Sequence, residues 1–157
     1  MNKFLRFIYS FAAVGVTAFV AAFFSNQAMQ TFYPSLNMPI FSPPDYVFAP
    51  VWSVLYTLMI ISYYIILNST DTIKLQNANL LFLGQLFLQM LWSYLFFGVG
   101  FYSSAIIVII LMIWTVYKMI EQFKAINKTA GNIQYPYLLW LMYATYLNIG
   151  IAYLNAS

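Results

Sequence analysis

Histidine and cysteine are both absent from this chain. Their absence removes the usual general base, thiol nucleophile and transition-metal ligands together. It also leaves an ordinary cytochrome or haem oxygenase without its His or Cys axial ligand. No disulfide can form, so cysteine usage leaves the redox compartment open. Charge is nearly as scarce: Asp, Glu, Lys and Arg make up 6% of the 157 residues. Six Lys/Arg against three Asp/Glu are too few and too scattered for a nucleic-acid surface, so no nucleic-acid partner is expected. The chain is instead 64% hydrophobic and 21% aromatic, outside the range of water-soluble globular domains. The lipid bilayer is the medium this composition requires.

A bilayer core needs roughly 20 apolar residues per helix at about 1.5 Å rise each. Five runs meet this, at about 4–24, 43–67, 76–97, 101–119 and 135–154. The expected fold is an all-α integral membrane protein, one five-helix transmembrane domain over residues 1–157. Lys3 and Arg6 give the first run a signal-peptide look, with Ala21 and Ala22 near a cleavage position. The apolar stretch from Phe7 to Phe24 is longer than an h-region of about 7 to 15 residues, which favours a retained helix. Lys3, Arg6, Lys74, Lys118, Lys124 and Lys128 all fall on one side of the five spans. In a plasma membrane this predicts a cytoplasmic N-terminus and an outside C-terminus.

The connections differ in kind. "FFGVGF" reads as a tight turn, with Gly98 and Gly100 permitting backbone angles that bulkier residues resist. Ser25 to Ser42 reads as a long structureless connection, of the kind that forms lids and binding loops. Its Phe32, Tyr33, Leu36, Met38, Ile40 and Phe41 place it against protein or lipid rather than in water. After the fourth span, Met119, Ile120, Phe123 and Ile126 at helical spacing predict that the helix extends out of the membrane. Gly131 and Asn132 are expected to end it.

"FSPPDYVFAPVWSVLYTLM" opens the second span. Ser42, Pro43, Pro44 and Asp45 match a capping box, with Ser42 as N-cap, Pro43 at the first helical position and Asp45 in the positive first turn. Pro50 then has two readings. It kinks a helix that began at Pro43, or the helix begins only near Pro50 after an extended segment.

Three apolar spans carry one-faced stripes: Trp52, Tyr56, Met59 and Tyr63; Gln85, Gln89, Trp92 and Phe96; Tyr137, Trp140, Ala144 and Asn148. An amide in hydrocarbon without a partner costs several kcal/mol, so Gln85, Gln89 and Asn148 point inward. Each of them serves either helix packing or a ligand. Together the faces describe a pocket for a large, flat, apolar molecule. In the first span, Ala13, Thr17 and Ala21 are small residues at four-residue intervals that favour close helix packing, within one protomer or between two.

"FYPSLNMPIFSPPDYVFAPVWSVLYTLM", "QLFLQMLWSYLFFG" and "PYLLWLMYATYLN" resemble, in order and spacing, signature blocks of the translocator protein / tryptophan-rich sensory protein (TspO/MBR) family, once called peripheral benzodiazepine receptors. The resemblance implies a five-helix bundle, often a homodimer, whose pocket is closed by the connection between helices 1 and 2 acting as a lid. It implies a membrane receptor or sensor for porphyrin-like tetrapyrroles such as protoporphyrin, for sterols, or for isoquinoline- or benzodiazepine-type drugs, with no cofactor required. The implied ligand-binding set takes Phe32, Tyr33, Pro39, Phe41, Pro43 and Pro44 from the lid. The helices add Trp52 and Tyr56; Gln85, Gln89 and Trp92; and Tyr137, Trp140, Ala144 and Asn148.

Some members of the family degrade protoporphyrin in light, and the matching tryptophans here are Trp52 and Trp140, the candidate catalytic pair. An excited porphyrin with oxygen supplies the chemical energy, so no general base is needed. From sequence the two indoles are equally readable as packing or interfacial anchors. The chain departs from the family at Phe32 and Phe41, commonly Trp, and at Gln89, commonly Asn; these changes bear on photochemistry more than on binding. No Lys or Arg follows Tyr153, so the weak sterol pattern is unmet. A small-molecule transporter or channel unrelated to tetrapyrroles is the remaining alternative. Against an ion-coupled one, Asp45 and Glu121 lie near span ends and Asp71 in a loop.

Overall fold

The computed structural model describes residues 1–156, and among them there are helices and turns but no strand. Helix α1 (Lys3–Gln30) starts at Asn2, whose side-chain oxygen accepts the Leu5 amide at 2.8 Å. It runs well past Phe24, so residues 25–30, expected in the connection, are helical. Ser25, Asn26 and Met29 on this last stretch line the rim of a cavity, with Asn26 exposed.

Helix α2 (Phe48–Leu67) follows a 3-10 turn at Asp45–Val47. The expected capping box does not form. Neither the turn nor α2 has a side-chain cap, and the Ser42 hydroxyl donates instead to the Pro39 carbonyl at 2.7 Å. Pro44, in extended geometry, holds the backbone of residues 43–44 out of the helix. Pro50 therefore sits at the third position of α2, among the amides that have no intrahelical acceptor anyway. It costs no hydrogen bond there, and the start-of-helix reading is nearer than the kink.

Helix α3 (Thr72–Ser93) is capped by Asp71, which accepts the Lys74 amide at 3.1 Å. It ends in a π-helical turn, Tyr94–Gly98, and Gly100 at φ +70° completes the reversal. Helix α4 (Tyr102–Ile126) stops earlier than Gly131. Asn127 adopts extended geometry and its side chain caps the next segment, accepting the Ala130 amide at 3.0 Å, so α5 (Lys128–Asn132) is a separate short helix. It folds back under α4 and α2, where the Ser62 hydroxyl donates to the Ala130 carbonyl at 2.6 Å. Helix α6 (Tyr135–Leu154) matches the fifth expected span.

Five segments are long and apolar enough to cross a membrane: Lys3–Gln30, Asp45–Leu67, Thr72–Gly98, Tyr102–Ile126 and Lys128–Leu154. Phe19, Leu80 and Ile107 are more than two-thirds exposed, a surface suited to acyl chains and not to water. Helix α3 packs along α4 and α4 along α6, while α1 packs on α2 and α3. At the end bearing the basic residues the core is solid, with Tyr63 stacked on Phe82 at 3.9 Å and Met59, Met112 and Met119 fully buried.

At the other end α2 and α6 are not among the closely packed helix pairs, and the connection between α1 and α2 lies along α6 instead. The Asn155 side chain accepts the Asn37 amide at 3.0 Å and donates to the Asn37 carbonyl at 2.9 Å. Pro39 rests on Gly150, the Tyr146 hydroxyl donates to the Ile40 carbonyl, and the Tyr143 hydroxyl donates to the Phe41 carbonyl. The chain thus descends α6 from Asn155 to Tyr143, with Phe41 in the left-handed region at φ 66°.

Candidate functional site

A cavity of about 420 Å³ lies among α1, α2, the end of α3 and α6, within the range of small-molecule sites. Its aromatic walls come from Trp52 and Tyr56 of α2, Trp92, Phe96 and Phe97 at the end of α3, and Trp140 of α6. Trp52 stacks on Tyr56 at 5.5 Å and meets Trp140 edge-on at 6.4 Å. Ala18, Ala21 and Ala22 of α1 and Ala144 of α6 leave the space that larger side chains would fill.

Amides fix the positions of the rings. The Trp92 indole N–H donates to Asn148 Oδ1 at 3.0 Å, and Asn148 Nδ2 donates to the Tyr102 carbonyl at 3.0 Å. The Gln89 amide, on a residue that lines the cavity, donates to the Tyr56 hydroxyl at 2.6 Å, while its own oxygen is buried without a partner. One turn deeper, the Tyr137 hydroxyl donates to Gln85 Oε1 at 2.7 Å, and Gln85 Nε2 is likewise unpartnered. A buried polar atom without a partner costs about 1–3 kcal/mol, which makes these two amides costly to the fold.

Of the residues singled out from sequence, Tyr33, Trp52, Tyr56, Gln89, Trp92, Trp140 and Ala144 lie on the cavity wall. Gln85, Tyr137 and Asn148 are buried behind it, where they hold neighbouring side chains. Phe32, Pro39, Phe41, Pro43 and Pro44 are away from the wall. The reason is the course of the connection down α6, which turns Phe41 outward at 85% exposure and sets Pro39 on Gly150.

Sequence reasoning missed Asp45 and the α1 wall. Asp45 read as a cap, yet it faces the cavity beside Tyr33. Burial pushes the Tyr33 phenol up to about 12, and the Asp45 carboxylate adds to the shift, so Tyr33 stays neutral at physiological pH. In α1, Ala18, Ala22, Ser25 and Met29 repeat the spacing of the other stripes, a signal hidden because the helix was expected to end at Phe24. The small-residue face of α1 divides: Thr17 is buried against the bundle and Ala21 lines the cavity.

The TspO/MBR family model matches residues 9–154. The tryptophan-rich protein TspO of Archaeoglobus fulgidus is 34% identical over 155 residues, 97% of this chain and 98% of its own. Protein CrtK of Rhodobacter capsulatus is 30% identical over 92% of this chain and 89% of its own. The human translocator protein is 29% identical over 87% of this chain and 82% of its own.

Proposed function

Since the chain belongs to the TspO/MBR family, we propose that it is a membrane receptor or sensor that holds a porphyrin-like tetrapyrrole or another flat apolar molecule in the cavity between α1, α2, α3 and α6. The observation that carries this reading is the cavity walled by Trp52, Tyr56, Trp92, Phe96, Phe97 and Trp140, with the amide of Gln89 among its lining residues. Three tryptophans supply stacking faces, and the small residues of α1 and α6 set the width. The name of the human relative, translocator protein, agrees with movement of the ligand. In this reading Tyr33 and Asp45 make the connection a partial cover.

All Lys and Arg lie at the far end, so a porphyrin's propionates meet Ser25, Asn26 and Ser53 rather than a cation, and Asp45 repels them. The expected affinity is therefore modest, micromolar or about −8 kcal/mol. Titrating protoporphyrin in the dark and following tryptophan quenching tests this, in wild type, Trp52→Phe and Trp140→Phe. Saturable micromolar binding, weakened in both variants, is the expected result; a folded wild type that binds nothing removes the tetrapyrrole.

A second reading is light-dependent oxidation of bound protoporphyrin, with dioxygen as the oxidant and the Trp52 and Trp140 indoles as electron-rich neighbours. It is favoured by their placement on one wall, 6.4 Å apart. Decay of porphyrin absorbance in light but not in the dark separates it from binding alone. The homodimer belongs to the same proposal. Around Gly15 the outer face of α1 has open space where a second helix fits closely.

A further inference from the structure

A second hollow lies back to back with the cavity. It is a groove of about 510 Å³ on the outer surface between α2 and α6, walled by Val51, Val54 and Leu55 on one side and Leu139, Trp140 and Tyr143 on the other. Val54 and Leu139 are 59% and 65% exposed, so in a bilayer the groove faces acyl chains. Trp140 lines both the groove and the inner cavity.

Because α2 and α6 are not closely packed, what separates the two spaces at this level is side chain rather than backbone. The partition is the Trp140 indole, set against Phe48 at 6.2 Å, Trp52 at 6.4 Å and Tyr143 at 5.4 Å. The contrast with Trp92 is plain, since that indole is pinned by a buried hydrogen bond to Asn148. Trp140 is held among these aromatic faces with no side-chain hydrogen bond among the described residues.

We propose that the groove is a lateral portal, through which the flat apolar ligand passes between the bilayer and the cavity, with Trp140 as its door. This rests on the reading of the cavity as the ligand site. A large apolar molecule partitions into the hydrocarbon before it meets the protein, so it arrives at the lipid-facing side. The two Asn37–Asn155 hydrogen bonds and those from Tyr143 and Tyr146 hold the connection along α6. The groove route breaks none of them.

The chain has no cysteine, so Val54→Cys with Leu139→Cys supplies the sole thiols for a short bismaleimide bridge across the groove. Full-length protein is reconstituted in phosphatidylcholine vesicles, bridging is verified by mass, and protoporphyrin association and dissociation are followed in the dark. Bridging should slow both rate constants by about tenfold or more with Kd within about twofold, because a blocked path raises the barrier and leaves both end states alone. Val54→Trp with Leu139→Trp, which fills the groove without a cross-link, should do the same, and Asn155→Ala should leave both rates unchanged. Unchanged rates in the bridged protein overturn the portal, as does a rise of both rates in Asn155→Ala with no effect of the bridge. Absence of saturable binding before bridging overturns the cavity reading itself, and the portal with it.

Discussion

At the scale of single residues, Gln89 is where stability and function pull apart. Its amide nitrogen donates to Tyr56 and its oxygen is buried without a partner. Removing one member of such a pair orphans the other, whereas replacing both with apolar groups of similar shape is close to neutral or stabilising. The double variant Gln89→Leu/Tyr56→Phe should therefore melt at or above the wild-type temperature in detergent. If the Gln89 and Tyr56 polar groups serve the ligand by donating to it, the same variant should bind protoporphyrin about tenfold more weakly, the value of one hydrogen bond to a buried partner. Equal affinity in both proteins would show that the amide is structural. The inward direction of Gln85, Gln89 and Asn148 was legible from sequence, because hydrocarbon tolerates no unpaired amide. Which of them reaches the cavity was not: Gln85 lies one turn deeper, on Tyr137, and Asn148 holds Trp92.

Among the elements, the connection along α6 depends on a glycine. A Cβ built on Gly150 would stand 2.6 and 2.7 Å from the Pro39 ring carbons, which cannot rotate away. Gly150→Ala should lift residues 37–41 off α6 while leaving the helix intact, since alanine favours a helix interior over glycine by about 1 kcal/mol. Hydrogen exchange checks this: amides around Asn37 and Phe41 should exchange about tenfold faster, with those of α6 unchanged. If their protection is unaltered, the connection absorbs the methyl group and Gly150 does not fix its position. The five spans were readable from apolar length, and α6 was placed residue for residue. The ends of α1, α2 and α4 were not, for local reasons of different kinds. Polar Ser25 and Asn26 read as a break but continue α1 at the cavity rim, Pro44 delays α2, and Asn127 ends α4 by capping α5.

On the scale of the whole molecule, charge and packing share one asymmetry. Lys3 and Arg6 at the start of α1, Lys74 at the start of α3, and Lys118, Lys124 and Lys128 about the end of α4 share one end of the bundle. The cavity lies toward the other end, between the last turns of α1 and the first turns of α2. The order of helices around the bundle was illegible because the spans are apolar almost all round, so periodicity does not say which face meets which neighbour. Orientation needs no such knowledge. If the basic end stays in the cytoplasm of a plasma membrane, the cavity sits in the outer leaflet, and the proposed ligand reaches it from there. Single thiols test this cleanly in a chain without cysteine: Ser35→Cys in the connection and Thr70→Cys between α2 and α3, both at exposed positions. A membrane-impermeant maleimide should label Ser35→Cys on intact cells and Thr70→Cys only after permeabilisation. The reverse pattern would put the cavity in the inner leaflet, and the protein would then draw its ligand from the cytoplasmic side.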